Sequence, residues 1–239
     1  MKKKTSLAVP WEITEQMFLS EDEVATLQHH LLQQEKDIDE SRQTSRSVDR
    51  LIVELLLASG LRNSELCHLR VVDTIVGHGE SSLKVVGTAK EDRTVYLSRG
   101  TSELIQKYVS TIRPQCLPAG TDANDLQQPL ILNERGKGYD RTALYRRVVR
   151  ILTEAGLAER ASVQLLRHTY GFLAYKRTGG NLLFVQKQLG HAHPMVTAVY
   201  ARFVDHQASD LAELVGGATG STLKTASKGA AASRRKGVR

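Results

Sequence analysis

The chain has 239 residues, 41% of them hydrophobic and 25% charged, which is enough for one well-filled core with tails. No run approaches the roughly 18 consecutive apolar residues of a membrane span, and Lys2-Lys3-Lys4 is not followed by an apolar signal core, so the expected setting is the cytoplasm, with no membrane partner. The net charge of +7 is less than the nine cations of the two ends (Lys2, Lys3, Lys4, Lys224, Lys228, Arg234, Arg235, Lys236, Arg239), which leaves residues 5–223 at net −2, so any nucleic-acid surface on the folded part must be a local patch.

In chain order, Ser20 with Glu23 three residues on forms a capping box, and the helix it opens carries Val24, Leu27 and Leu31 inward. The next helix is almost continuously apolar from Leu51 to Leu57 and should cross the core until Gly60 breaks it. Arg62 follows at the entry of a short helix with Glu65, Leu66 and Leu69. An arginine at that junction is costly to bury alone, so it either pairs with Glu65 or is held for an anion. Cys67 reads as a small buried thiol and, like Cys116, stands in no disulfide or metal spacing. From Ser82 the period changes to two: SLKVVGTA and EDRTVYL make a hairpin turning around Lys90-Glu91-Asp92. A helix over Thr101–Thr111 and a short strand, PLIL, before a Gly-rich loop read as packing and connection. Asp140 then caps a helix whose buried stripe is Leu144, Val148, Ile151 and Leu152. Its other faces hold Arg141, Arg146, Arg147 and Arg150 against one carboxylate, Glu154, which points to a DNA-facing helix.

The densest pattern runs from Gln164 to Tyr200. Leu166, Tyr170, Leu173 and Ala174 mark a helix that stops at Gly179-Gly180 and carries Arg167 and His168 in its first turns. Asn181 opens a second short helix with Leu182, Val185 and Leu189 inward, ended by Gly190, so His191 lies just past a helix end. Pro194 starts a third helix that should carry Tyr200 about two turns along. His191 and His193 have no further ligands at metal spacing, and no metal is expected. Residues 203–215, with Leu211 and Leu214, permit a last helix, and the small, polar, basic run from Gly216 cannot bury enough apolar area to order itself.

LLRHTYGF, then QLGH, then a tyrosine nine residues past that histidine, together with GLRNSEL upstream, resemble the signature of the tyrosine recombinases, the phage-integrase and Xer-like enzymes. The resemblance implies a mainly α domain with a small antiparallel β-sheet (α+β) over residues 18–215, between a basic extension (1–17) and a disordered basic tail (216–239). FLSEDEV resembles the opening of the family's catalytic domain, ahead of which relatives place a separate helical DNA-binding domain. Here seventeen residues precede Phe18.

The resemblance further implies DNA cleavage and rejoining through a 3′-phosphotyrosyl bond, with double-stranded DNA as partner and no cofactor. It implies a homo-tetramer on DNA, with or without a second recombinase or accessory protein. Tyr200 would be the nucleophile, Arg62 and Arg167 the phosphate clamps, and His191 and Gln164 the rest of the phosphate shell. Gln164 stands where the family most often has histidine; it can donate a hydrogen bond but cannot shuttle a proton. Lys90 would protonate the leaving oxygen, although the commonest lysine position falls on Thr88. A different reading is a recombinase-derived protein that binds DNA, or regulates, without cutting.

Overall fold

The computed structural model describes residues 13–36, 40–77, 79–87 and 92–204. Lys90 and Thr88, the extension up to residue 12 and the tail from residue 205 lie outside the described residues.

Helix α1 (Glu21–Lys36) begins with the expected capping box: the Ser20 N–H donates to Glu23 Oε2 at 2.8 Å and the Glu23 N–H to Ser20 Oγ at 3.1 Å. Helix α2 (Glu40–Ser59) is the axis of the domain. Leu51, Ile52, Val53, Leu55 and Leu56 are all buried, because α1 and α7 (Val163–Arg177) cover it on different sides. The stretch from Leu51 to Leu57, apolar but for Glu54, needs cover of this kind on more than one face. Gly60 ends α2 in the left-handed region (φ 60°), and α3 (Asn63–His68) follows at once.

Three strands form one antiparallel sheet, β1 (Thr74–Ile75), β2 (Ser82–Val85) and β3 (Arg93–Tyr96), in that order, with Leu83 opposite Val95. The hairpin was expected; β1 was not, since two residues leave no periodicity to read. Helix α4 (Arg99–Lys107) continues through a π turn (Tyr108–Ile112) into α5 (Arg113–Cys116). The expected PLIL strand is a pair of isolated bridges instead, Arg70 with Pro129 and Leu132 with Gly138; Pro129 has no N–H with which to extend a ladder. Helix α6 (Arg141–Glu154) is capped by Asp140, which accepts from the Thr142 and Ala143 N–H groups, and buries the predicted stripe.

Helix α7 is capped by Ser162 and is buried from Val163 to Leu173 except at Gln164 and His168. Thr169 Oγ1 accepts from the Leu19 N–H at 2.9 Å, and Phe18 stacks on Phe172 with 4.4 Å between centroids, which ties the described start of the chain to the centre. Helix α8 (Leu182–Leu189) has Asn181 as N-cap and Gly190 at φ 63° as C-cap, as the sequence predicts. Helix α9 (Pro194–Ala198) is shorter than expected. It gives way at Val199–Phe203 to a 3-10 turn, so Tyr200 sits on that tighter turn and not two turns along an α-helix.

Candidate active site

Arg62, Gln164, Arg167, His168 and His191 line one cavity of about 1040 Å³ at the junction of α3, α7 and the α8–α9 link, with Arg141 at its edge. Residues more than a hundred positions apart meet here because Gly60 and Gly190 bring two helix ends together. The Gly60 backbone lies against Tyr170 and Leu189, where a β-carbon would come within 2.7 Å of both side chains.

Arg167 is 4% exposed. Its guanidinium donates to the carbonyl of Gly60 and, at 2.7 Å, to that of Leu189. Both partners are neutral, and no carboxylate pairs with it directly among the described residues. Burial, and then the nearby charge of Arg62, push its pKa down to about 10, so it remains cationic at neutral pH but at a cost. A buried cation held this way is relieved by an arriving anion. Arg62 makes the Glu65 pair that its position suggested, Nη1 to Oε1 at 2.7 Å, and also donates from Nη2 to the Gly190 carbonyl at 3.2 Å. The alternatives posed by the sequence therefore coexist: Glu65 orients Arg62, which still reaches the cavity.

Glu65 also accepts from both terminal guanidinium nitrogens of Arg93, a residue that the sequence did not single out. Burial opposes its ionisation, but the Arg93 fork and the Arg62 backbone and side chain prevail and hold its carboxyl near 2. One signal for Arg93 was available: an arginine opening a strand that must be half-buried needs a carboxylate nearby.

Tyr200 stands outside the lining of this cavity. It is 1% exposed, its ring lying over Gly171, and its hydroxyl is 3.0 Å from His168 Nδ1. Burial pushes the phenol up to about 12. Gln164 donates its amide to His168 Nε2 at 3.0 Å. Burial, then the charge of Arg167, lower His168 to about 4, so it is neutral; with Nε2 accepting, its proton sits on Nδ1 and is donated to the Tyr200 oxygen. Among the described residues no base accepts the Tyr200 proton, and its oxygen accepts from His168, so the phenol is not activated in this arrangement. His191 Nδ1 is 2.9 Å from Thr197 Oγ1, which fixes its ring at the cavity wall.

The four arginines of α6 separate. Arg141 lines the cavity and Arg146 is exposed. Arg147 turns inward, its side chain 10% exposed, donating to Asp49, Ser45 and Tyr139, and Arg150 pairs with Asp49 and Glu154. Of the four arginines expected to face DNA, Arg141, Arg146 and Arg150 keep exposed side chains, and Arg147 does not. The reason is Asp49, a 1%-exposed carboxylate on α2 that pattern reading along α6 alone cannot see. Among the described residues no group of three His, Cys, Asp or Glu could hold a metal ion, and no helix is long and apolar enough to cross a membrane.

The sequence model of the Phage integrase family matches residues 17–206, which includes Arg62, Gln164, Arg167, His168 and His191 of the cavity. The chain belongs to this family. It is 32% identical to the tyrosine recombinase XerD of Staphylococcus aureus (strain N315) over 154 residues, 64% of this chain and 49% of that protein, and 31% identical to XerD of Staphylococcus saprophyticus. It thus spans about half the length of the curated relatives it matches. Among solved structures it resembles the XerH site-specific recombinase bound to its difH substrate (TM-score 0.64, 24% identity, 83% of this chain and 53% of that one) and the XerA recombinase (TM-score 0.60, 23% identity, 89% and 67%). These likenesses establish a tyrosine-recombinase catalytic-domain fold, mainly α with a small antiparallel sheet.

Proposed function

We propose that the chain cleaves and rejoins double-stranded DNA as a site-specific recombinase of mobile or linked DNA. The observation that carries this is Arg167, a buried guanidinium with only carbonyl partners, sharing one cavity with Arg62, Gln164 and His191. A phosphodiester attacked at phosphorus gathers negative charge on its non-bridging oxygens, and two forked cations preset in a low-dielectric pocket stabilise that charge where it develops.

The Tyr200 oxygen attacks phosphorus and its proton passes to water or to His191 acting as base, while the bond to the 5′ oxygen breaks and that oxygen takes up a proton, for which Lys90 is the proposed donor. Attack by a 5′ hydroxyl reverses each step. The phosphotyrosyl bond conserves the energy of the diester, so neither ATP nor a metal ion is required. His191 and Gln164 complete the phosphate shell by hydrogen bonding, Gln164 as donor only. Tyr200 must leave its seat over Gly171 to act. Arg141, Arg146 and the exposed Arg150 contact the DNA backbone, a tetramer on two duplexes, alone or with a second recombinase or accessory protein, is the working assembly, and the cytoplasm is the setting. Residues 18–215 form the catalytic unit and 216–239 a basic tail.

The burial of Tyr200 and the glutamine at 164 favour one second reading, a DNA-binding protein that does not cut. A suicide substrate carrying the cognate core site separates the two. The expected result is a covalent 3′-phosphotyrosyl adduct, resistant to chelator, that Tyr200→Phe abolishes. Binding without adduct supports the second reading, and an adduct that persists in Tyr200→Phe or needs magnesium overturns the assignment of Tyr200.

A further inference from the structure

Glu65 serves two arginines unequally. Arg93, the first residue of β3, takes both carboxylate oxygens in a fork, Nη1 to Oε1 at 2.6 Å and Nη2 to Oε2 at 2.9 Å, while its Nε donates to the Gln188 carbonyl at 3.1 Å. Arg62 receives a single side-chain contact on Oε1 and is the more exposed of the two, 36% against 15%. The other Arg62 terminal nitrogen, Nη2, rests on the Gly190 carbonyl.

Three guanidiniums therefore meet three successive carbonyls at the end of α8: Arg93 on Gln188, Arg167 on Leu189 and Arg62 on Gly190. A helix C-terminus carries the negative end of the helix dipole, so it is a natural seat for cations. Gly190 makes the crowding possible. Its left-handed backbone closes the helix, and a β-carbon there would stand 2.9 Å from Arg93 Cδ and Nε.

We propose that Arg93 is a positioning residue that occupies Glu65, so that the guanidinium of Arg62 stays turned toward the phosphate cavity. Arg62, Arg93, Arg167 and Glu65 together carry +2. Without Arg93 the sum falls to +1, and both carboxylate oxygens pass to Arg62, the cation already bonded to one of them. A two-pronged Arg62–Glu65 pair satisfies both charges internally and withdraws the fork from the phosphate. Arg93 thus acts through Arg62 and needs no contact with DNA. This deepens the cleavage reading and rests on it for its kinetic test.

The test compares wild type, Arg93→Gln, Glu65→Gln and the double variant in two assays: single-turnover adduct formation on the suicide substrate, and binding of inorganic phosphate followed by phosphorus NMR. Arg93→Gln should slow adduct formation and weaken phosphate binding by about tenfold, the scale on which members of one charge network couple. Adding Glu65→Gln should restore most of both, because the net charge returns to +2 and the Gln amide oxygen still accepts from the Arg62 N–H. A brace that merely holds β3 against α8 predicts the opposite, a double variant no better than the single one. That result, an Arg93→Gln protein equal to wild type in both assays, or a wild type that binds no phosphate overturns the proposal. A wild type that binds phosphate with this mutational pattern yet forms no adduct refutes the cutting function and leaves the role of Arg93 standing.

Discussion

Substituting Gly171 by alanine tests whether Tyr200 is held in store. A β-carbon at 171 would lie 2.3 Å from the Tyr200 Cζ and 2.5 Å from its hydroxyl oxygen, so methyl and ring cannot both remain. The backbone itself does not object: Gly171 is interior to α7 without a left-handed φ, and alanine there is favoured by about 1 kcal/mol. Overpacking of this kind costs about 1–3 kcal/mol, and only while the ring is seated. The ratio of seated to released tyrosine should therefore fall by about five- to 150-fold, while folding stability, with the helix gain offsetting the lost seat, drops by no more than about 2 kcal/mol. Two measurements check it. In alkaline absorbance titration, with Tyr200→Phe identifying the signal, the Tyr200 phenol should move from about 12 toward its ordinary value near 10. The folded pKa lies above the unfolded one, so the seat contributes stability that is fully present below pH 10 and lost as pH rises through about 12; Gly171→Ala should shrink that alkaline loss. Adduct formation on bound DNA should accelerate. An unchanged titration and unchanged rate refute the storage argument, and a released tyrosine that reacts more slowly shows that the seat is the place from which it attacks.

Arg167→Lys keeps the buried charge but loses the fork that spans the Gly60 and Leu189 carbonyls, and should cut the adduct rate by about a hundredfold or more with DNA binding retained, as read by single-turnover kinetics beside a gel-shift assay. Glu65, held near 2 by its two arginines, contributes stability present above the ordinary carboxylate range near 4.5 and lost as pH falls through about 2; urea melts across that window should show an acid-side slope that Glu65→Gln flattens. Deleting residues 216–239, with their six cations, should lower the slope of log affinity against log salt by about 0.9 for each tail contact with a phosphate, and an unchanged slope would place DNA binding on the folded surface around Arg141 and Arg146 alone.

Much of the site was readable because its local signals are strong. The Gly60 break, the Asn181 and Gly190 caps and the Pro194 start each have a backbone reason, and together they place Arg62, Arg167 and His191 at helix ends that face one another. Other features depended on partners distant in sequence. Arg147 looks like its neighbour Arg146 along α6, and only Asp49, 98 residues earlier, turns it inward. Arg93 opens an ordinary half-buried strand until Glu65 gives it a role. The seat of Tyr200 depends on a glycine in α7 that reads, from its own segment, as a small residue inside a helix. Periodicity reports which face of an element is buried, but it carries no information on which charge waits on the other side.

The site's two halves are built on opposite principles, and the contrast bears on how it is controlled. The proposed phosphate clamp is held by the protein itself: Arg167 is fixed by two carbonyls, and Arg62 by a carbonyl and a carboxylate. The proposed nucleophile, Tyr200, is withheld, its oxygen accepting from His168 in a buried seat where ionisation is suppressed. Had the clamp been the mobile part, its cations would lie in water and lose most of the advantage of a preset low-dielectric site. The nucleophile can be mobile at smaller cost, because a neutral phenol loses one hydrogen bond and some buried area on leaving. The tight 3-10 turn that carries Tyr200 follows a five-residue helix, a short span to rearrange. The rate of adduct formation in the wild type should then be set by release of Tyr200 and not by the clamp. Faster cleavage in Gly171→Ala with unchanged phosphate affinity would show this; a parallel change in both would mean that seat and clamp move as one.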